Sequence, residues 1–385
     1  MDNTQVNTRI EAIHAMIAEF RECVNLQQSI NLNYGIKKAV YSLYPLLTEE
    51  QRGLITRRTA YGYAEAFNTR GDTMEAVQNY LTVLYSIVDP NNAEPSRAEP
   101  SRAEPSRAEP STPQFGLNTL PRDKHIIVSF ASMPARVEAA VYVADAMLRQ
   151  TVRPDMVLLW LTQAEYDEAF ADGRYKYEYE VLKQRGLTVR ICEDNIRPHK
   201  KYYYTMREFP DSYVITVDDD AFYGTRLIET LLNSVSKYPD AISAMWLLDM
   251  LPDGNADTVT KIPPYATWHK YLVDIGKPPS HSYCILGVGG TVFPPGCLDP
   301  RVFNINSIRK RAITCDDIWL TAMAILRGTK RICAAPDFQF VNIPGSLTTA
   351  LAFTNERGTN DEAVRLVFNK FDVCKALNEQ ARADG

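Results

Sequence analysis

Residues 212–220 read SYVITVDDD, an apolar run that ends abruptly in three carboxylates. Tyr213, Val214, Ile215, Thr216 and Val217 have the β-branched and aromatic make-up of a buried strand, and the acids mark its C-terminal edge. Working outward, the same kind of run recurs at 125–130 (HIIVSF), 156–161 (MVLLWL), 187–192 (LTVRIC) and 241–248. Helix-period segments lie between these runs. Residues 136–150 place Val137, Ala140, Val141, Ala144 and Leu148 on one face; 175–185 stop at Gly186; 202–209 and 226–238 follow. Strand–helix units of about 30 residues predict a parallel α/β sheet with right-handed crossovers.

The chain has 385 residues, a length that suggests two or three domains. With 45% apolar and 23% charged residues it has an ordinary globular balance. Lys and Arg total 42 against 47 Asp and Glu, a net charge of −5, which argues against a dedicated nucleic-acid binder. The 21 tyrosines suit cores as well as sugar and nucleotide pockets. Seven widely spaced cysteines without a CxxC pair argue against a zinc ribbon or a thioredoxin site and fit a reducing compartment. No secretory leader and no apolar run long enough for a transmembrane helix are read, so the expectation is a soluble cytoplasmic protein.

A tandem repeat divides the chain. AEPSR stands at 93–97, 98–102 and 103–107, and AEPST at 108–112. With a Pro every fifth residue and no large apolar group, 91–118 is expected to be a disordered linker. Before it, 1–90 reads as all helical, with Ile10, Ile13, Met16, Ile17 and Phe20 at helical spacing. A faint internal echo makes this segment either a helical bundle or a tetratricopeptide-like module, suited to docking or to homo-oligomer formation. The α/β domain is expected over 119–372, followed by a tail over 373–385.

In open α/β sheets ligands bind at the carboxyl edge of the strands. Continued strand alternation sets Asp218 and Asp220 toward one side and Asp219 toward the other. Two such carboxylates suit a hard divalent cation that also holds a diphosphate, and the plainer reading is a solvated acidic turn. Asp316 and Asp317, in CDDIW (315–319), open a helical run that ends at Gly328. One of them reads as a helix cap and the other as a general base, with Trp319 packing nearby. GVGG (287–290) permits close backbone approach to a sugar, or is simply a hairpin; without a following Lys-Ser/Thr it is not a phosphate loop. Lys200 and Lys201, in HKK (199–201), are candidates to neutralise a diphosphate or to form an exposed basic turn. Arg136 follows the first strand, where a nucleotide rests in this kind of sheet.

In succession these segments resemble bacterial glycosyltransferases of the GT-A fold, close to the family 2-like enzymes of surface-polysaccharide gene clusters. The resemblance is carried by IIVSFASMPAR (126–136), CED (192–194), HKK, VDDD (217–220), GVGGTVFPP (287–295) and CDDIW, and spans roughly two thirds of the chain. It implies a Rossmann-like nucleotide-diphospho-sugar transferase domain and a nucleotide-sugar donor, taken to be a UDP-sugar. It further implies Mn²⁺ or Mg²⁺ held by Asp220 and Asp218. Donor contacts are then expected from Ser129, Ala131, Arg136, Lys200, Lys201, Asp218 and Asp219, a sugar or acceptor pocket from Gly289, Gly290 and Trp319, and the base from Asp317 or Asp316. A glycan or lipid-linked acceptor and a place at the inner face of the membrane follow from the same resemblance. The pattern departs from the family in having no Gln-x-x-Arg-Trp after the Asp pair and no His after His281, where only Asn360-Asp361 offers a substitute ligand. A nucleotidyltransferase is the first rival, but its Gly-rich basic loop is missing from ASMP (131–134). A non-enzymatic scaffold is the second, and the intact acidic motifs argue against it.

Removing residues 1–112 is expected to leave a fragment that melts cooperatively, because few contacts cross a linker of this composition. An insoluble 113–385 fragment would show instead that the two parts share a core.

Overall fold

The computed structural model describes residues 116–173, 175–251, 262–268, 276–334, 341–343 and 355–384, together with Ala12, Ala15 and Val273. Apart from Ala12 and Ala15, the expected helical module over 1–90 lies outside these, as do all but the last residues of the linker.

Strand β1 (Ile126–Ala131) leads through a 3₁₀ turn, Pro134–Arg136, into helix α1 (Val137–Leu148). Next come β2 (Met156–Thr162), α2 (Gln163–Phe170), α3 (Lys176–Arg185) and β3 (Leu187–Cys192). A second 3₁₀ turn, Arg197–His199, opens into α4 (Lys200–Glu208). Then follow β4 (Tyr213–Thr216), β5 (Ala221–Phe222), α5 (Leu227–Lys237), β6 (Ile242–Ala244), β7 (Leu247–Asp249) and α6 (Tyr265–Trp268). The rest comprises β8 (Tyr283–Ile285), β9 (Thr291–Phe293), α7 (Ile305–Arg311), α8 (Asp316–Arg327), β10 (Arg331–Cys333), β11 (Val341–Asn342), α9 (Asn360–Phe371) and α10 (Val373–Asp384).

Seven strands make one sheet in the order β10-β6-β9-β4-β1-β2-β3. The α/β architecture is the one the sequence predicts, with one addition: β9 runs antiparallel to both β4 and β6. At its centre Val128 lies beside Val157 of β2 and Ile215 of β4, both in parallel register. Alternate residues of β1 face opposite layers. Val128 and Phe130 enter the core shared with α1, α3 and α5, while Ile127 packs with Leu158, Trp160 and Tyr204 under α4. A separate apolar core joins α4, β7, β8, α8, α9 and α10.

Three expectations change. The fifth strand, read as continuous over 241–248, is two: the Met245 N–H bonds to the Gly290 carbonyl, and the chain then leaves the sheet to pair β7 antiparallel with β8. The tail expected after 372 is helix α10, whose Val373 and Leu377 are buried in the second core. Trp319, expected in the acceptor pocket, is 0% exposed. Its Nε1 donates to the Val302 carbonyl at 3.1 Å and its ring meets Phe371 edge-on, because α8 is enclosed on every side from Ile318 to Ile325 and leaves none of these side chains a face on solvent.

Trp319→Ala is therefore expected to cost roughly 3–5 kcal/mol of stability. Chemical denaturation would read this directly. A loss confined to activity would return Trp319 to the pocket.

Candidate active site

The sheet reverses direction of growth at β1: β2 and β3 lie on one side of it and β4 on the other. The crevice at such a switch point, beyond the carboxyl ends of the strands, is where ligands bind in open α/β sheets. The loop after β1 and the acidic turn after β4 meet there. Ser132 Oγ donates to Asp219 Oδ2 at 2.5 Å, and the Arg136 guanidinium contacts Asp219 Oδ1 at 2.8 Å and Asp220 Oδ2 at 3.1 Å. Asp218 takes a different partner, the Lys201 ammonium, at 2.5 Å. Strand alternation does not govern these acids, because β4 ends at Thr216 and the carboxylates lie in the turn beyond it. Asp219 and Asp220 thus share Arg136, and Asp218 stands apart from both.

Lys201 joins this turn to a motif far away in the sequence. Its Nζ also lies 2.9 Å from Asp316 Oδ2 at the start of α8. The neighbouring Asp317 Oδ1 accepts from the Gly287 backbone N–H at 2.9 Å. Gly287 is the glycine that matters at the site: a Cβ there would lie 2.8 Å from Asp317 Oδ1 and 3.4 Å from Lys201 Nζ. Gly290 serves the backbone instead, at φ +95°, with the Leu227 side chain where a Cβ would project. Gly289 packs on Met245 and Trp246. Neither Asp316 nor Asp317 is the cap expected for α8. The capping position is Cys315, and both acids lie in the first turn, where negative charge is favoured.

The other expected donor contacts divide. Ser129 is fully buried and points beneath α4, donating to the Lys201 carbonyl at 2.5 Å and meeting Thr205 Oγ1 at 2.7 Å. It anchors the helix rather than a ligand, since a mid-strand side chain must face one layer or the other. Ala131 is half-buried at the end of β1. Lys200, buried, is committed to Glu165 Oε2 at 2.5 Å and to the Ser132 carbonyl at 3.2 Å. His199 is a structural link between Tyr202 and the Ala312 carbonyl, and burial pushes its pKa down to about 4.

The charges do not balance. Among the described residues, five carboxylates, Asp218, Asp219, Asp220, Asp316 and Asp317, gather around Arg136 and Lys201. Burial, only partly offset by Arg136, pushes Asp220 up to about 7. Burial and then the adjacent Asp316 raise Asp317 well above the carboxylate range, whereas Lys201 overcomes burial to hold Asp316 below it. Among the described residues no three His, Cys, Asp or Glu side chains form a ready cage for a metal ion. The surplus of carboxyl oxygens over cations nonetheless offers hard donors of the kind a divalent cation takes.

Several residues here were not singled out in the sequence. Tyr223 accepts from the Asp218 N–H at 2.9 Å and donates to the Val288 carbonyl at 2.8 Å, tying the acidic turn to the glycine segment. Ser132 and Glu165 act through Asp219 and Lys200. Only Ser132, inside the segment after β1, carried any local signal.

No protein-family model matches the chain, and no curated protein matches it in sequence. Among solved structures the chain is similar to a UDP-glucose pyrophosphorylase from Acinetobacter baumanii. The identity is 11%, over 68% of this chain and 99% of that one, with a TM-score of 0.28. A likeness of that size bears on neither substrate nor mechanism, so the functional argument rests on the residues. Among the described residues no helix is long and apolar enough to cross a membrane.

Asp220 has a folded pKa of about 7, above its ordinary value. The folded state therefore keeps a proton that the unfolded state has released, and stability falls as pH rises from about 4 to about 7. Asp220→Asn is expected to melt higher than the wild type at about pH 7.5 and to lose that advantage near pH 4. For a domain of this size each 1 kcal/mol is worth about 2–4 °C. Equal melting temperatures at the higher pH would show that Asp220 carries no burial penalty.

Proposed function

We propose that this chain is a metal-dependent glycosyltransferase of the GT-A type, moving a sugar from a nucleotide-sugar donor, taken as a UDP-sugar, to a glycan or lipid-linked acceptor. The observation that carries this reading is the meeting of two acidic motifs on one buried ammonium. Lys201 lies 2.5 Å from Asp218 and 2.9 Å from Asp316, beside the buried Gly287, where a Cβ would crowd both Asp317 and Lys201. One motif sits at the switch point of the sheet and the other at the start of a helix from the second core, so a donor and an acceptor can be held against one another.

Asp218 and Asp220 would hold the cation, and Asp218, with its side chain 29% exposed, is the most open of the three acids in the turn. The cation supplies charge neutralisation to a departing nucleoside diphosphate. Arg136 keeps Asp219 and Asp220 in place. The two helix acids then divide their work. Asp316 is tied to Lys201, while Asp317, half-buried and held by the Gly287 N–H, is the carboxylate left to take the proton of an acceptor hydroxyl. That role belongs to an inverting transfer; a retaining one needs no such base.

Incubation with a panel of UDP- and GDP-sugars and Mn²⁺ tests the proposal. Release of UDP or GDP supports it, pyrophosphate release would move the chain to the nucleotidyltransferases, and no release would favour a scaffold. Asp317→Asn is expected to keep donor affinity while lowering transfer by roughly 10²–10⁴-fold. Small, equal losses in Asp317→Asn and Asp316→Asn would remove the base from this pair.

A further inference from the structure

Lys201 is 4% exposed, and its surroundings fix it from several directions. Its carbonyl accepts from Ser129 Oγ at 2.5 Å, which holds the first turn of α4 against β1. Two carboxylates from separate parts of the fold meet its ammonium: Asp218 accepts a hydrogen bond at 2.5 Å, and Asp316 Oδ2 forms an ion pair at 2.9 Å. Val217, just before Asp218, packs in the first apolar core; Cys315 and Ile318, flanking Asp316 and Asp317, pack in the second. The other cations of the cluster are engaged elsewhere, Lys200 with Glu165 and Arg136 with Asp219 and Asp220.

Resting on the function proposed above, we infer that Lys201 is a positioning residue that couples the donor side of the site to the acceptor side, rather than a direct ligand of the diphosphate. One buried ammonium shared between two carboxylates makes the load on each depend on the other. When a cation–diphosphate draws on Asp218, the Lys201 charge falls more heavily on Asp316. Asp317, next to Asp316 and held by the Gly287 N–H, feels that change. Donor binding thereby conditions the helix start at which the acceptor is to be deprotonated. Coupling of this kind is reciprocal, so an alteration at Asp316 must be felt in donor affinity.

The test uses the full chain and UDP with Mn²⁺ as the probe, with affinity measured by calorimetry in the wild type, Asp316→Asn, Lys201→Met and the double variant. Asp316→Asn is expected to weaken UDP binding by at least about fivefold when Lys201 is present and to change it little in the Lys201→Met background. An equal effect in both backgrounds would mean that Asp316 acts through space, and no effect in either would remove the link; each overturns the inference. A second measurement needs neither ligand nor a Lys201 variant. The denaturation free energies of Asp218→Asn, Asp316→Asn and their combination are expected to be non-additive, because both side chains share one partner. Additive losses would overturn the inference. A wild type that fails to bind UDP with Mn²⁺ while the denaturation cycle remains non-additive would leave the Lys201 link standing and overturn the proposed function.

Discussion

A buried ammonium is tolerated only where opposite charge meets it at close range, and Lys201 meets that condition from two sides. Its position is demanding in a second way. Lys200 and Lys201 open α4, the end of a helix that disfavours positive charge. Glu165 answers the first lysine, and Asp218 with Asp316 answers the second. The chain can therefore place α4 over the sheet only if α2, the turn after β4 and the start of α8 all arrive at the same spot. The ion pairs contribute less to net stability than to fixing which arrangement forms, since burying them carries its own desolvation cost.

The rest of the architecture serves this junction. One apolar core holds β1, β2 and β4 with α1, α3 and α5, and so presents the loop after β1 to the turn after β4. The other core gathers β7, β8, α8, α9 and α10, and so presents the Asp316-Asp317 helix start and the glycine segment. Short polar ties brace each side and the seam: Ser132 to Asp219 on the first, Gly287 to Asp317 on the second, and Tyr223, from Asp218 to Val288, between them. Each satisfies a polar group that would otherwise be costly at such a seam. A surplus of carboxylate over cation remains at the site; burial first, and the crowding of like charges after it, makes Asp220 and Asp317 hold their protons more tightly than free carboxylates do.

What the sequence alone determined was local. Four strands, the acidic edge at 218–220, the helix opened by Asp316-Asp317 and its arrest at Gly328 are legible because each depends on neighbouring residues: an apolar run, a charge at its end, a glycine free to take φ +82°. The HKK, VDDD, GVGG and CDD segments were also legible, but only as four separate signals. Tertiary structure alone decided how they pair. It showed that β4 stops at Thr216, so the three acids do not alternate. It turned Ser129 and Trp319 into anchors, set Gly287 rather than Gly289 or Gly290 against the acids, ran β9 antiparallel through the sheet and folded 373–384 into a helix. The physical reason is one of range. Strand and helix formation are set by contacts along a few residues, whereas the partner of a buried charge is whichever opposite charge the packing of distant elements brings within about 3 Å of it.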